Sequence, residues 1–139
     1  MKLNERFTVV YDAIFAHIFK KYGLDGLIEF FKDLAPYVLF DLQAMAKRDG
    51  LKGCYTYWTK VLSEENAGFR IDLDPDKKLK LEITACPAIK TLGSPKCPEY
   101  CRHCAVMYAT VLEPLGLKYD WKKIGGGRCE ITVTKREED

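Results

Sequence analysis

The chain has 139 residues, of which 47% are hydrophobic and 30% charged, and this is the size and composition of one soluble globular domain. Its formal net charge of +2 is too small for a dedicated nucleic-acid binder, which is usually more basic and more one-sided. The first residues, MKLNERF, carry charges where the apolar part of a signal peptide would begin, and no apolar run is long enough to span a bilayer. We therefore expect a cytoplasmic protein that works neither on nucleic acid nor in a membrane.

The first half of the chain has the apolar spacing of amphipathic helices. In the first helix, apolar residues recur at the required spacing at Phe7, Val10, Tyr11, Ile14, Phe15 and Ile18. Gly23 is a typical helix end, a second helix starts near Asp25, and Pro36 is expected to break or kink it. The helical pattern resumes at Leu39 and stops at RDG (48–50), and one more helix follows with an apolar face at Tyr55, Trp58, Val61 and Leu62.

The second half changes to the two-residue period of β-strands. Apolar residues alternate at 69–73 and 79–83 around the turn sequence DPDKK (74–78), which predicts a β-hairpin. A helix is expected from about Glu99 to Leu112, with Pro98 in its first turn. Two more strands, at 117–121 and 129–133, flank the turn sequence GGGR (125–128).

These elements predict an α+β protein in which N-terminal helices pack on a four-stranded antiparallel sheet, with β-β-α-β-β order in the C-terminal half. The apolar stripes of the helices need the sheet face to bury against, so we expect a single domain over 1–139. It has a helical part (1–66) and a β-β-α-β-β part (67–134) that contains most of the cysteines.

Six cysteines distinguish the sequence, and three of them lie within CPEYCRHC (97–104). In a cytosolic chain that builds its own core, clustered cysteines bind metal or do chemistry more often than they form disulfides. Cys101 and Cys104 share one face at the start of the predicted last helix, where the helix dipole favours thiolates. Cys86 ends the second strand and Cys129 opens the fourth, so both can meet that helix at one end of the sheet.

Four sulfurs are the ligand set of a closed tetrahedral zinc site. We therefore expect zinc on Cys86, Cys101, Cys104 and Cys129, with Cys97 as a fifth candidate ligand. A 4Fe–4S cluster is the alternative, since Cys-Pro pairs occur in ferredoxin sequences, and thiols that are reduced, unliganded and partly buried are another. The spacing of Cys97, Cys101 and Cys104 also matches the radical-SAM motif, but those enzymes are much longer barrels with the motif early in the chain, so we take this match as accidental.

The sixth cysteine and the two histidines have simpler interpretations. Cys54 lies on a helix of aromatic residues and is expected to be a packing thiol. His103 is predicted to point away from the face that Cys101 and Cys104 share, so we expect a surface residue and not a metal ligand. His17 is expected to be a core or boundary residue and not a catalytic one.

Four segments, in this order, look familiar: GLKGCYTYWTKVLSEE (50–65), ITACP (83–87), YCRHCAVMYATVLEPLG (100–116) and GRCEITV (127–133). Together they resemble the family named after 2-amino-thiazoline-4-carboxylate hydrolase, and they are more distantly similar to four-vinyl-reductase-type small-ligand domains. The resemblance implies an α+β ligand-binding domain with a pocket between helices and sheet. It also implies zinc near the ligand on thiols of the last helix and last strand, here Cys101 or Cys104, and Cys129. Those domains often take another ligand from the strand before the glycine turn, but KYDWKKI (118–124) has no Cys or Glu, so Cys86 would substitute.

Two classes of function are compatible with these features. The first is an enzyme that hydrolyses a C–N bond of a small cyclic amidine, with metal-activated water or a thiolate as the nucleophile. Its candidate acids or substrate contacts are Glu64, Glu65, Tyr57 and Tyr108.

The second is a non-catalytic module that senses or carries a small apolar or aromatic ligand and contains a structural zinc. Its pocket is expected to be lined by Phe15, Phe31, Phe40, Tyr57, Trp58 and Tyr108. A closed four-thiolate zinc site favours the second class, whereas a site of three thiols with an open position favours the first. A homodimer is compatible with both.

Overall fold

The computed structural model describes residues 1–136, which form helices first and then an antiparallel sheet. The helices are α1 (Leu3–Val38), α2 (Phe40–Asp49), α3 (Leu51–Glu64), α4 (Pro87–Leu92) and α5 (Arg102–Leu112), and a 3-10 turn (Glu113–Leu115) follows α5. The strands are β1 (Gly68–Asp74), β2 (Lys78–Ala85), β3 (Leu117–Gly125) and β4 (Arg128–Lys135). This is the predicted α+β architecture.

The long helix α1 is interrupted once, at Gly23, whose φ of 72° and ψ of −169° are not helical. A residue without a Cβ takes this conformation readily, so the predicted helix end appears as a break inside α1. The break expected at Pro36 is displaced, because the helix continues to Val38 and only Leu39 separates it from α2. A proline ring clashes with the turn before it and does not prevent the next residues from staying helical. No helix within residues 1–136 is both long and apolar enough to cross a membrane.

The sheet has the order β1-β2-β4-β3, with every neighbouring pair antiparallel. Its two central strands contribute four side chains that are fully buried against the helices, namely Leu79, Leu81, Ile131 and Val133. They belong to one continuous apolar core with residues of α1, α2, α3 and α5. The Tyr119 hydroxyl donates a hydrogen bond to the Cys104 carbonyl (2.8 Å), which ties α5 to β3.

The end of β2 and the start of β4 lie at the same end of the sheet. There the Cys86 N–H donates to the Gly127 carbonyl at 2.9 Å. Gly125, Gly126 and Gly127 all have positive φ, so the turn between β3 and β4 needs glycine at each position. This turn brings the first residues of β4 beside the last residues of β2.

The last helix begins later than expected, at Arg102 instead of Glu99. Pro98 is therefore outside its first turn, and Cys101 is the residue before the helix. Residues 97–104 form hydrogen bonds between residues three apart, as in a 3-10 turn. In one of them the Tyr100 N–H donates to the Cys97 carbonyl. The cause is tertiary, because a carboxylate on α1 accepts hydrogen bonds from the N–H groups of Lys96 and Cys97, where this segment begins. The short α4 was not predicted, since six residues are too few to show a helical period.

Candidate metal and ligand site

A cavity of about 320 Å³, which we call the thiol cavity, lies between α4, residues 93–101, the start of α5 and the β3–β4 turn. Every cysteine predicted from the sequence to bind metal lines it: Cys86, Cys97, Cys101, Cys104 and Cys129. All are free thiols. The structure therefore brings all five predicted metal-binding cysteines to one cavity at one end of the sheet.

Local structure explains how these thiols arrive there. Cys86 directly follows β2, Cys101 directly precedes α5, and Cys104 lies in the first turn of α5. Cys129 is the second residue of β4 and lies opposite Ile83 on β2. Lys123 is its partner on β3, and this ammonium lowers the pKa of the Cys101 thiol, against a larger increase from burial.

Four of the thiols interact electrostatically with each other. The pKa of Cys129 is raised to about 12, mainly by burial and in part by negative charge on Cys104, Cys86 and Cys101. Burial likewise raises the pKa of Cys104 to about 12. The thiols are therefore protonated at neutral pH, and a bound cation is what would hold several of them as thiolates together.

Cys97 differs from these four. It is fully buried, and its backbone N–H donates to a carboxylate oxygen of Asp12 at 2.9 Å. Burial raises the pKa of its thiol, and the charges that add to this are those of Asp12 and Glu99 and not those of other cysteines. Although Cys97 lines the thiol cavity, its thiol belongs to a different electrostatic environment.

The thiols line one cavity without meeting at one point. Within residues 1–136, no group of three or more Cys, His, Asp or Glu side chains stands close enough to hold a metal ion as the side chains are placed. The sulfurs would have to draw together to share one ion.

Trp121 adds a donor to the thiol cavity that the sequence did not single out. Its indole N–H is buried and has no hydrogen-bond partner among the described residues. It lies close enough to Cys129 to lower the pKa of that thiol, against a larger increase from burial. Hydrogen-bond donors of this kind stabilise metal-bound thiolates, so the donor set and its surroundings fit a thiolate-ligated metal.

His103 is not the surface residue predicted from the sequence. Its ring lies 5.9 Å from that of Phe15 and 4.8 Å from that of Tyr100, and its Nδ1 contacts the Tyr100 carbonyl at 2.5 Å. A carbonyl only accepts, so Nδ1 carries the hydrogen of the neutral ring, and Nε2 faces the Cys104 sulfur at 3.5 Å. Burial lowers the pKa of His103. The prediction failed because α1 covers the side of α5 that was expected to face solvent.

His17 also differs from its prediction, since it is exposed on α1 and is not a core or boundary residue. Asp12, which sequence reasoning missed, is the buried polar residue on this helix, with 3% of its surface exposed. Its two carboxylate oxygens accept from the N–H groups of Lys96 (2.8 Å) and Cys97 (2.9 Å). The available signal was an acid between Tyr11 and Phe15 on the apolar face of the first helix.

A second cavity of about 220 Å³, which we call the aromatic cavity, lies between α1, α3, α4 and α5. It shares Cys86, Cys104, Tyr100 and His103 with the thiol cavity. Its ring-bearing walls are Tyr11, Phe15, Tyr57, Trp58, Tyr100, His103 and Tyr108. Two of the predicted thiol ligands, Cys86 and Cys104, therefore stand between the thiol cavity and the aromatic cavity.

Most residues predicted to line a pocket do line the aromatic cavity, including Phe15, Tyr57, Trp58, Tyr108 and Glu65. Three do not. Phe31 is fully buried in the core, Phe40 faces solvent from the first turn of α2, and Glu64 is exposed beside Glu65. Each was assigned from residue type, which does not tell a cavity wall from a packed core or an exposed helix face.

The remaining predictions in this region concern Tyr57 and Cys54. Burial raises the pKa of Tyr57 to about 12, and the charges of Glu65 and Asp41 add to the increase, so this phenol stays protonated at neutral pH. Cys54 is fully buried in the core, and burial raises the pKa of its thiol to about 12. It is the packing thiol that the sequence indicated.

Comparison with protein-family models, with curated proteins and with solved structures found no match to this chain. The resemblance of residues 50–134 to the hydrolase family therefore stays a sequence-based prediction.

Proposed function

We propose that this protein is a thiolate-ligated metal-binding domain that holds a small molecule in the aromatic cavity. One observation carries the proposal: Cys86 and Cys104 line both cavities. A metal bound by these two thiols would stand at the wall of the space that takes the small molecule. The proposed ligands are Cys86, Cys101, Cys104 and Cys129. Cys97 is left out of the set because Asp12 and Glu99, and not the other thiols, influence the pKa of its thiol.

Zinc is the metal that we propose first, because four thiolates make up its usual structural coordination. Binding would release the thiol protons, so metal affinity should rise with pH. An iron–sulfur cluster is the second candidate. The size of the thiol cavity favours it, since about 320 Å³ is far more than one ion needs, and so do two cationic side chains on its wall, Lys123 and Arg128. A cluster on four thiolates is anionic, and nearby positive charge would stabilise it.

Non-catalytic binding is the role that a complete four-thiolate set favours, because such a site has no open coordination position. Hydrolysis of a C–N bond, as in a small cyclic amidine, is the second candidate function. What favours it is Glu65, whose carboxyl group lines the aromatic cavity and whose pKa is raised by burial and by Glu64. A carboxyl group of this kind can deliver a proton to a leaving nitrogen. A metal with an open position would supply an activated water.

Metal analysis of protein purified without oxygen, together with its ultraviolet–visible spectrum, tests the proposal. A colourless protein with about one zinc per chain is the expected result. Broad visible absorption with iron and sulfide would give first place to the cluster. Protein that binds neither zinc nor iron, as purified or after incubation with either, would overturn the proposal.

We also propose that the protein is cytoplasmic and forms a homodimer through α1. Leu3, Phe7, Val10 and Ile14 are exposed on one face of this helix, at spacings of four, three and four residues. Exposed apolar stripes of this kind mark contact surfaces. Sedimentation at several protein concentrations would show a dimer, and a monomer at all of them would exclude this interface.

A further inference from the structure

Glu65 occupies a position that is unfavourable for a carboxylate in three ways. It is the C-cap residue of α3, at the negative end of the helix dipole, and no basic residue lies in the last turn. Glu64 precedes it, and burial together with the Glu64 charge raises the pKa of its carboxyl group. Among residues 1–136, its carboxylate makes no hydrogen bond and no ion pair.

Among the described residues that line the aromatic cavity, no Lys or Arg is present to pair with the negative charge of Glu65. Glu65 is also the only carboxylate among them. The other titratable side chains there are the thiols of Cys86 and Cys104, a buried neutral imidazole and phenols. Lys2 and Lys90 line an adjoining groove that shares Glu65, Pro87 and Thr91 with the aromatic cavity, but neither forms an ion pair with Glu65.

The other walls suit an apolar ring with a positive charge. Aromatic faces attract cations through their ring quadrupole, and the attraction grows when water is excluded. Trp58, which is 1% exposed, lies edge to face with Tyr108 at 5.4 Å. Burial raises the pKa of Tyr108, and the indole N–H of Trp58 beside its hydroxyl opposes this increase.

A ligand carboxylate, by contrast, has no cationic side chain to pair with among the described residues that line this cavity. It would face Glu65 without a Lys or Arg to pair with, and an unpaired buried charge is strongly unfavourable. The resemblance to 2-amino-thiazoline-4-carboxylate hydrolases predicts a ligand that carries a carboxylate. The lining of this cavity therefore points to a different charge on the ligand.

We infer that the aromatic cavity binds a small organic cation, an amidine or amine on an apolar ring without a carboxylate, and that Glu65 is its ion-pair partner. The inference rests on the proposed role of the protein as a small-molecule-binding domain. It adds the charge of the ligand and the residue that selects it.

Calorimetric titration with three probes of similar shape tests this inference. Benzamidinium, neutral benzamide and anionic benzoate differ mainly in charge, and we expect benzamidinium to bind at least about ten times more tightly than the other two. Glu65→Gln should remove that preference, because it removes the charge that pairs with the cation. Glu64→Gln is the matched control, because it removes the same charge from the exposed neighbour and should keep the preference.

Equal binding of the three probes, or an unchanged preference in Glu65→Gln, would overturn the inference. The probe comparison in the unaltered protein needs no variant to fold. Metal content is measured on the same samples, so the two proposals separate. Protein that contains metal but does not prefer the cation refutes the inference alone, whereas protein that prefers the cation but never binds metal supports the inference and refutes the proposed metal centre.

Discussion

At the residue scale, the cysteines differ in what surrounds them and not in their chemistry. Cys101 borders the cavity beside Cys86 and Cys104 and is half-buried, whereas Cys97 is fully buried and influenced by Asp12 and Glu99. Cys54 is in the core on α3. Substitutions at these three positions can therefore distinguish the proposed metal ligation from packing.

We expect Cys101→Ser to release the metal and to lower the unfolding midpoint, because metal binding contributes to folding where ligands converge only in the folded chain. Cys97→Ser should release much less metal. The unfolding midpoint of Cys97→Ser does not report metal loss alone, since a hydroxyl at a fully buried position is itself unfavourable. Metal content per chain, measured by mass spectrometry of the element, is the deciding quantity. Greater loss with Cys97→Ser would identify Cys97, Cys101 and Cys104 as the site and favour the iron–sulfur cluster.

Replacement of Cys54 by Ala or Ser should leave the metal content unchanged. The side chain packs in the core of the helical part and does not line the thiol cavity. Cys54→Ala is thus the matched control for the cavity thiols, since it removes one thiol of the same protein at a different place. Stoichiometric metal loss in this variant would show that the proposed ligand set is wrong.

Glu65→Gln is expected to stabilise the protein when no small molecule is bound. The folded-state pKa of Glu65 is raised, so the folded protein holds the proton to a higher pH than the unfolded chain does. The free energy of unfolding therefore falls as pH rises from the pKa of Glu65 in the unfolded chain through its pKa in the folded protein. Above that range the ionised Glu65 disfavours folding. The variant should therefore raise the thermal midpoint at pH 7, with a smaller difference at low pH. An unchanged or lower midpoint at pH 7 would show that the carboxylate has a favourable partner.

At the element scale, Asp12 connects α1 to the segment that enters the thiol cavity. Both of its carboxylate oxygens accept backbone N–H groups, from Lys96 and Cys97, and Phe15 one turn later packs against Tyr100 and His103. One face of α1 therefore holds the start of the cysteine segment. This contact spans 85 residues of sequence.

We expect Asp12→Ala to lower the free energy of unfolding by roughly 2–4 kcal/mol, since two hydrogen bonds to a charged group are lost and two N–H groups lose their acceptors. Asp12→Asn should lower the free energy of unfolding by less than Asp12→Ala does, because the amide keeps one acceptor oxygen. Chemical denaturation measures the effect. Asp25→Ala on the same helix is the control, as this side chain is exposed and should change stability by less than about 0.5 kcal/mol. Equal effects of the two substitutions would contradict the role assigned to Asp12.

At the scale of the whole molecule, the helical part and the sheet share one apolar core. Phe15 on α1 packs against Tyr100, and Trp58 on α3 packs against Tyr108 of α5. The core cluster continues from these helices to the central strands. Residues 1–66 would therefore expose a large apolar face if they were separated from the rest.

We predict that limited proteolysis yields no stable, folded fragment of residues 1–66, and that the chain unfolds in one cooperative transition. Mass spectrometry of the digest, followed by circular dichroism of the purified fragment, measures this. A folded fragment ending near residue 66 would instead show two independent domains.

Much of the fold follows from local patterns. The break at Gly23, the turn at Gly50 and the hairpin around 74–78 each depend on residues close in sequence, and each appears near its predicted place. The alternation in the strands places Cys129 on the same face as the buried Ile131 and Val133. Period and turn chemistry suffice for these features because the forces involved act over a few residues.

Other features depend on contacts between residues far apart in sequence, and only the tertiary structure determined them. The start of α5 at Arg102 and the burial of His103 depend on Asp12 and Phe15 of α1, far away in the chain. Which aromatic residues line a cavity, and which fill the core as Phe31 does, also depends on how helices meet. The residue types for metal binding could be read from the sequence, because thiolates at such spacings suit metals. The different electrostatic surroundings of Cys97, and the single carboxylate among the described residues that line the aromatic cavity, could not, because burial and electrostatic neighbours exist only in the folded chain.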